Sequence, residues 1–406
     1  MKIYLKLAWR NIWRNKRRTI ITVSAIIFAV MLAIILQSVN RGSYEVMIDR
    51  MVSFNTGYVQ IQDMRYDEES SLDNSFWYDE ELRDRILNAD LRIERMAPRI
   101  ETFMLAANHT STRGSVVFGK NPQKEKKFND FENYLSEGRL FEMNEQSVVL
   151  ARGLAERLQL GVADTLVLIG QGRFGMSASG LFEIVGILDH PVRQLNNNGV
   201  FMALDTAQHL LSAEGYITGL MIAPVHERQT NSVASSLKEE LKDEELAVYT
   251  WPELIPELLE LMEMDLATPR LLTVVLYVVI GFGFLGTILT MTLERLREFG
   301  VLLSVGMQRF KLSAVLFIET IFISIIGVLA GIAVAWLILV LIDPIYLTGE
   351  AAQAVIDMGF DPVIPMSFAA DQFYRQGFFV FLVAVAVFMF PLIKISRLNI
   401  LDAARS

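Results

Sequence analysis

Residues 271–300 read LLTVVLYVVIGFGFLGTILTMTL-ERLREFG, and a second apolar run extends from about Leu312 to Ile342. Each apolar run is long enough to cross a bilayer as a helix, which needs roughly 20 apolar residues. Neither run alternates with a period of two, so we expect helices and not the strands of a barrel. The charged segment between them predicts a small amphipathic helix that lies on the membrane face and presses on a partner.

The composition indicates an integral membrane protein with one large soluble insert. The chain has 406 residues, of which 52% are hydrophobic, and its longest apolar runs lie towards the two ends while the middle resembles ordinary soluble protein. The formal charge of -9 is unevenly distributed and therefore says little about partners. The chain has no cysteine, which excludes disulfides and thiolate metal sites.

The N-terminal residues 1–18 predict an amphipathic helix at the membrane surface. They contain seven basic residues and no acidic one, and the helical pattern places the indoles of Trp9 and Trp13 on a broad apolar face. We expect membrane lipid to be contacted by Trp9, Trp13, Arg14, Arg17 and Arg18. A simple topogenic charge cluster is the other interpretation, and both place the N-terminus in the cytoplasm. Nucleic-acid binding is disfavoured because the basic block leads directly into an apolar run.

The apolar run from Thr19 to Val39 predicts a retained first span. A cleaved signal peptide is the alternative, but the run is long and Gln37–Asn40 is a poor cleavage site. Two further features complete a topology of four spans with both termini in the cytoplasm: the loop 343–375 has only Arg375 as a basic residue, and basic residues follow the last span. The segments are a cytoplasmic helix (1–18), the first span and its stalk (19–52), an extracytoplasmic α+β domain (53–255), a stalk and second span (256–293), a cytoplasmic coupling helix (294–311), the third span (312–342), an outer loop (343–375), the fourth span (376–393) and a cytoplasmic tail (394–406).

Short patterns within the insert predict a mixed α+β fold of one or two domains. Glycines at 170–180 indicate a hairpin, and Pro252, Pro256 and Pro269 are expected to break or bend the returning stalk. The predicted strands are 58–62, 116–118, 147–150, 165–169, 182–188, 199–203, 218–223 and 246–249, and the predicted helices are 80–89, 206–213 and 231–241.

No catalytic or metal site is predicted. The stretch Gly114–Asn121 resembles a phosphate-binding loop, but Asn121 and Pro122 stand where that loop needs a magnesium-binding hydroxyl and a helix. The four histidines lack metal-ligand spacing. We therefore expect no cofactor on this chain and no enzymatic activity of its own.

Glu319 is the one ionisable residue inside the third apolar run. A carboxylate at mid-bilayer costs roughly 2.5–3.5 kcal/mol, so we expect it to pair with a neighbouring helix; a snorkelling side chain without a role is the alternative. Small residues predict close helix approach on span three (Gly327, Gly331, Ala335) and on span two (Gly281, Gly283, Gly286).

The charged segment 294–311 has an apolar face formed by Leu296, Phe299 and Leu303. Gly300 and Gly306 allow close backbone contact or a helix end. A plain turn is the alternative, but the length and mixed charge favour a docking helix.

These residues resemble the FtsX-like permease family, which includes the macrolide exporter MacB and the lipoprotein-releasing permeases LolC and LolE. The motifs are ERLREFG (294–300) with Val305–Gly306, Glu319, and the ending SRL (396–398) with LDAAR (401–405). In the insert, GYVQI (57–61), VFGKNP (117–122), LSEGR (135–139), ARGLA (151–155), Leu160–Gly161 and Asp164 occur in the order of the family's periplasmic domain.

The resemblance implies a dimeric permease subunit in a bacterial inner membrane, formed with a second copy or a paralogue. Each protomer would bind a separate cytosolic ABC ATPase, which holds the ATP and Mg, and helical stalks would carry its motion to a periplasmic domain of two subdomains, one inserted at about 120–215. The residues expected to couple to the ATPase are Glu294, Arg297, Glu298, Phe299, Gly300 and Gly306.

The resemblance favours the lipoprotein-releasing branch, with a lipoprotein substrate and a periplasmic carrier. The acyl chains of the lipoprotein would occupy a cavity lined by Met31, Ile35, Leu276 and Ile280. Export of another amphiphile, signalling to a cell-wall hydrolase, and a receptor without an ATPase are the alternatives.

Overall fold

The computed structural model describes residues 2–14, 16–66, 70–126, 128, 131–350, 352–353 and 362–396. Two compact units are present: a helical unit, Met1–Val46 with Glu260–Ser406, and an α+β unit, Met47–Leu259. Much of the predicted outer loop and the motifs at 397–405 lie outside the described residues.

The α-helices whose bounds the structure describes are numbered in order. They are α1 (Lys2–Arg14), α2 (Lys16–Met51), α3 (Glu80–Ala89), α4 (Pro122–Glu125), α5 (Arg152–Leu158), α6 (Arg193–Asn198), α7 (Leu204–Leu210), α8 (Thr230–Glu240), α9 (Trp251–Leu254), α10 (Pro256–Asp265), α11 (Ala267–Glu294), α12 (Leu296–Ser304), α13 (Arg309–Ile342) and α14 (Ala370–Ser396).

Four helical stretches among the described residues are long and apolar enough to cross a membrane: Thr19–Thr56, Pro256–Glu294, Arg309–Ile342 and Ala370–Ile393. The predicted fold class, with four spanning helices, is therefore confirmed. The predicted N-terminal segment 1–18 includes α1, and Arg17 lies on α2; the bounds of that segment stay a prediction. The returning stalk is interrupted at Ile255, directly before Pro256, so the prediction for Pro256 is confirmed. Pro252 was also expected to break or bend the stalk, but it lies in the first turn of α9. Pro269 was expected to bend the chain but lies in the first turn of α11, where its missing N–H has no helical partner to lose.

The small residues of α13 allow α2 to approach closely. A Cβ added at Gly327 would lie 2.7 Å from Ile26 Cγ2, and one added at Gly331 would lie 2.9 Å from Val30 Cβ. Ala335 on the same face is fully buried. On α11, by contrast, a Cβ at Gly283 or Gly286 meets no described atom within 4 Å. The expectation of close approach is thus confirmed for span three, while this chain shows no such contact at those two positions of span two.

The α+β unit is built on one mixed sheet. The strand bounds in this unit are β1 (Val59–Asp63), β2 (Phe76–Trp77), β3 (Ile93–Ala107), β4 (Thr112–Lys120), β5 (Leu135–Gly138), β6 (Ser147–Ala151), β7 (Thr165–Gln171), β8 (Ser177–Leu188), β9 (Gly199–Ala203), β10 (Tyr216–Ile217), β11 (Gly219–Pro224) and β12 (Leu246–Thr250). The strands of the sheet run β12-β1-β11-β3-β4-β9-β6-β8-β5 in space, β7 pairs with β3 and β8, and β2 pairs separately with β10. In the helical unit, β13 (Ile345–Tyr346) pairs with β14 (Val363–Ile364).

Each predicted strand and helix of the insert is present, and the predicted hairpin is β7–β8. The prediction missed β3, the longest strand. Pro98 and the charged residues Glu94, Arg95, Arg99 and Glu101 interrupt its apolar pattern, yet β3 pairs with β11 on one side and β4 on the other. One core cluster combines residues between Val59 and Met96 with residues between Ile217 and Val248. Further cores contain mainly residues between Ile100 and Ala213.

A methyl group at Gly327 should destabilise the helical unit. Gly327→Ala places a Cβ against Ile26, and overpacking of this kind costs about 1–3 kcal/mol. Gly286→Ala is the matched control, because its Cβ enters open space and alanine favours the helix. The measurement is the thermal unfolding midpoint of both variants in detergent. Equal midpoints would show that α2 and α13 are not closely packed there.

Candidate functional site

Helix α12 is packed against the ends of two spanning helices. Phe299 is 5% exposed and Leu303 is 8% exposed, and they form one apolar cluster with Leu312, Leu316 and Phe388. The predicted apolar face is therefore present for these two residues. The side chains of Leu296 and Arg297 lie outside the described side chains. The cluster shows that α12 contacts α13 and α14 through side chains and is not an extended turn.

Two glycines of the 294–311 segment were predicted to allow close contact or to end the helix. Gly300 is buried within α12. Gly306 has a φ of +99°, a backbone conformation that side chains with a Cβ rarely adopt, and its N–H donates to the Leu303 carbonyl. Gly306 thus ends α12 and directs the chain into α13.

A buried ion pair joins the residue before α12 to the middle of the helical unit. Arg295 Nη1 donates to Glu319 Oε2 at 2.9 Å and to Oε1 at 3.1 Å, and the two side chains are 3% and 4% exposed. Asn11 of α1 donates its side-chain N–H to Glu319 Oε1 at 2.5 Å. Arg295 Nη2 also donates to the Asn11 carbonyl at 3.3 Å. Glu319 therefore connects α1, α13 and the start of α12, and is not a snorkelling carboxylate.

An exposed ion pair connects α1 to α12 directly. Arg14 Nη2 donates to Glu298 Oε2 at 2.5 Å, with about half of each side chain exposed. A groove of about 720 Å³ lies beside this pair, and its polar lining includes Asn11, Glu294 and Arg295. The side chains of Arg14, Glu294 and Glu298 are exposed, so this face is accessible to a partner.

The two tryptophans of α1 are in contact with other aromatic rings. Trp9 and Trp13 are about half exposed and contact each other edge to face, and Trp9 makes a second such contact with Phe322 of α13. Arg17 is exposed, and the side chain of Arg18 lies outside the described side chains. Contact of these residues with lipid stays a prediction.

The four residues predicted to line a substrate cavity are distributed over two helices. Met31 and Ile35 of α2 pack against the apolar core of the helical unit. Leu276 and Ile280 of α11 are partly exposed. A cavity lined by all four stays a prediction.

Sequence reasoning found Glu319 but not its partners. Arg295 and Arg297 are equally near in sequence, and the helical pattern alone does not decide which one reaches Glu319. Asn11 was overlooked because it lies 308 residues away, among basic residues that suggested a surface role. The usable signal was the requirement that a buried carboxylate has a buried cation.

A second buried cluster of charges lies in the α+β unit. Arg99 of β3 and Lys120 of β4 are directly opposite each other, and like charges in that position destabilise a strand pair. Glu125 of α4 accepts two hydrogen bonds from Arg99, at 2.6 and 2.7 Å, and lies 3.6 Å from Lys120 Nζ. Asn121 caps α4 by accepting from the N–H groups of Gln123 and Lys124. The VFGKNP motif thus forms a strand and a capped helical turn, and not a phosphate loop.

Lys120 and His190 both have strongly perturbed pKa values. Lys120 is 2% exposed, and its amine lies 5.0–5.4 Å from the ring centroids of Phe118, Phe131 and Phe201. Burial, and then the charge of Arg99, lowers its pKa to about 7. Burial, and then the charge of Lys120, lowers the pKa of His190 to about 3. Because its pKa is about 3, His190 is neutral at pH 7; its ring stacks on Phe201. Within the part of the chain that the structure describes, no group of three His, Asp or Glu residues suits a metal ion.

Two family models match the chain. The MacB-like periplasmic core domain matches residues 19–240, which is more than half of the chain, and the FtsX-like permease C-terminal region matches residues 270–400. An uncharacterized ABC transporter permease of Methanocaldococcus jannaschii is 22% identical over 217 residues, which are 52% of this chain and 52% of that protein. The chain thus spans about half the length of this curated relative.

Two solved structures are similar at low TM-scores. The extracellular domain of the noncanonic ABC-type transporter YknZ from Gram-positive bacteria matches 47% of this chain and 99% of that domain, with 14% identity and a TM-score of 0.35. The periplasmic region of MacB from Actinobacillus actinomycetemcomitans matches 52% of this chain and 95% of that region, also with 14% identity and a TM-score of 0.35.

The buried ion pair should show strong coupling in a double-mutant cycle. Arg295→Met leaves Glu319 buried without its cation, and loss of one partner of such a pair costs about 3–5 kcal/mol. Arg295→Met combined with Glu319→Leu removes both charges, and we expect most of the lost stability to return. The free energy of unfolding is measured by denaturant titration in mixed micelles.

The exposed pair provides the control. Arg14→Met removes a half-exposed ion pair, which contributes less than about 1 kcal/mol. If Arg295→Met lowered the free energy of unfolding as little as Arg14→Met, this would contradict a buried ion pair between Arg295 and Glu319.

Removal of the Lys120 charge should stabilise the α+β unit at neutral pH. Because the folded pKa of about 7 is below the usual value of 10.5, the unfolded chain binds the proton more tightly between these values. This group therefore makes the wild type more stable as the pH rises from about 7 to about 10. Lys120→Met should be more stable than wild type by about 1–4 kcal/mol at pH 7. The measurement is urea unfolding of the full chain in detergent. The difference in unfolding free energy between Lys120→Met and the wild type should be smaller at pH 10 than at pH 7. A difference that does not change with pH would contradict the burial of a titrating amine.

Proposed function

The chain belongs to the family of FtsX-like and MacB-like permeases, and we propose that it couples ATP hydrolysis on a separate cytosolic ABC ATPase to a rearrangement of its α+β unit. In this arrangement α12 is the surface on which the ATPase acts. Both termini and α12 lie in the cytoplasm of a bacterial cell, and the α+β unit lies on the other side of the inner membrane. The excess of basic residues at the N-terminus supports this orientation.

The observation that carries the proposal is the attachment of α12 to the spanning helices. Phe299 and Leu303 pack against α13 and α14, and the Arg295–Glu319 pair binds the start of α12 to α1 and α13. A force on α12 is therefore transmitted to three other helices. An exposed Glu298 and the adjacent groove give a partner a charged and partly apolar surface to hold.

The substrate class is proposed to be an amphiphile taken from the outer leaflet, most specifically a lipoprotein that passes to a periplasmic carrier. The exposed apolar face of α11, which includes Val274, Val278 and Phe282, supports a helix that contacts lipid, acyl chains or a second permease chain. A second copy or a paralogue would complete the assembly. Export of a different amphiphile, or signalling to a cell-wall hydrolase, would use the same coupling and differ only outside the membrane.

Charge reversal on α12 should release the ATPase. Glu298→Lys changes an exposed residue, so the permease should fold while its complex with the ATPase is weakened at least tenfold, as expected for like charges at an interface. Gly300→Trp puts a large side chain at a buried position of α12. It should therefore displace α12 and also release the partner. The measurement is co-purification of a tagged permease with an ABC ATPase from the cells that express it.

The control is Glu214→Lys, which reverses an exposed charge in the α+β unit. Full retention of the ATPase by Glu298→Lys and Gly300→Trp would remove α12 as the coupling surface. Absence of any ATPase from the wild-type complex would favour a receptor.

A further inference from the structure

Helix α2 ends in a turn whose carbonyl groups need partners. The chain leaves α2 through a π-helical turn, Val52–Thr56, which is closed by a hydrogen bond from the Gly57 N–H to the Val52 carbonyl at 2.8 Å. Gly57 then has a φ of +69° and starts the path into β1. The last carbonyls of any helix lack partners within the helix, and its C-terminus has a partial negative charge.

Arg99 supplies these partners from the centre of the sheet. Its Nη1 donates to the carbonyl of Phe54 at 2.8 Å and to that of Asn55 at 2.9 Å. The other side of the guanidinium donates to both carboxylate oxygens of Glu125. Arg99 is 4% exposed, so water does not compete strongly for these donors. One planar cation thus joins the end of α2, strand β3 and helix α4.

The side chain of the same turn is also enclosed. Phe54 is 4% exposed and contacts Phe131, Tyr134 and His190. Lys120 Nζ lies 3.5 Å from the Phe54 carbonyl. The carbonyls of the turn are therefore held by Arg99 and the Lys120 amine, and the Phe54 ring is held by an aromatic cluster.

The free-energy cost of burying these charged side chains indicates that they have a specific role. Two buried basic side chains, Arg99 and Lys120, lie opposite each other on adjacent strands, with the carboxylates of Glu125 and Glu101 near them. Apolar residues of similar size would pack here at equal or lower cost, because desolvation of charges is expensive. Apolar side chains would not, however, hold the carbonyls of a helix end. The carbonyl contacts are what this set of charges provides.

We propose that Arg99 is the positioning residue that attaches the end of α2 to the sheet, so that a displacement along α2 reaches β3 and its neighbours. This inference rests on the proposed function and adds the point at which motion enters the α+β unit. Because β3 pairs with β11 and β4, a force on Arg99 is delivered to the middle of the sheet and not to an edge strand.

Three variants distinguish loss of the Arg99 contacts to the turn from a general loss of folding. Arg99→Met removes the carbonyl contacts but leaves Glu125 with Lys120 as a buried counter-charge, 3.6 Å away. Arg99→Lys keeps the charge without the planar set of donors, and it should restore the attachment only in part. Arg139→Met is the matched control, because it removes an exposed arginine that is paired with Glu145 in the same unit.

The first measurement needs no ATPase. Hydrogen exchange of the full chain in nanodiscs is followed in peptides that cover Val52–Thr56, with β9 as the internal reference. Arg99→Met should accelerate exchange in the turn at least about tenfold, because two charge-assisted hydrogen bonds to its carbonyls are lost, and it should leave β9 unchanged. Arg99→Lys should be intermediate, and Arg139→Met should match the wild type. Unchanged exchange in the turn of Arg99→Met overturns the attachment.

The second measurement adds the ATPase with ATP and vanadate. The wild type should show nucleotide-dependent exchange in α12 and in β3, whereas Arg99→Met should keep the response in α12 and lose at least nine-tenths of that in β3. A full β3 response in Arg99→Met overturns the coupling role even if the turn is loosened. A wild type without any nucleotide response refutes the proposed function and the coupling role together, while the first measurement still decides whether Arg99 attaches the turn.

Discussion

A buried charge must have its opposite charge close by, and this constraint determines how the helical unit is assembled. Glu319 is the only ionisable residue between Leu312 and Ile342 of α13, where an unpaired carboxylate is strongly unfavourable. It is satisfied by Arg295 at the start of α12 and by Asn11 of α1. The three segments are consequently held in one relative position by a requirement that apolar packing alone does not impose. Apolar contacts of Phe299 and Leu303 then complete the docking of α12.

The α+β unit uses the same principle for a different purpose. Its buried charges are arranged around backbone carbonyls of the turn after α2, and the Arg99 guanidinium divides its donors between those carbonyls and Glu125. In the helical unit the charged groups bind one helix to others; in the α+β unit they bind the end of a helix to a sheet. Both clusters lie at positions where the chain changes from one element to the next.

The sequence predicted the spanning helices, most strands and the apolar face of α12, because each depends on a local pattern that repeats along the chain. It predicted Glu319 for the same reason, since one acid in an apolar run stands out. Arg295, Asn11 and the Arg99–Glu125 pair were missed because their importance depends on contacts between distant residues. Strand β3 was missed because Pro98 and its charged neighbours hide a central strand behind a polar pattern.

The two connections between the units are built differently. The chain enters the α+β unit through α2, which is helical without interruption from Lys16 to Met51. It returns through α9, α10 and α11: the helix is broken at Ile255, whereas Leu266, between α10 and α11, keeps helical backbone angles. A continuous helix resists both compression and bending, whereas a connection whose helix is broken can bend at the break. The path into the α+β unit is therefore the stiffer of the two, and the path out of it can bend next to Pro256.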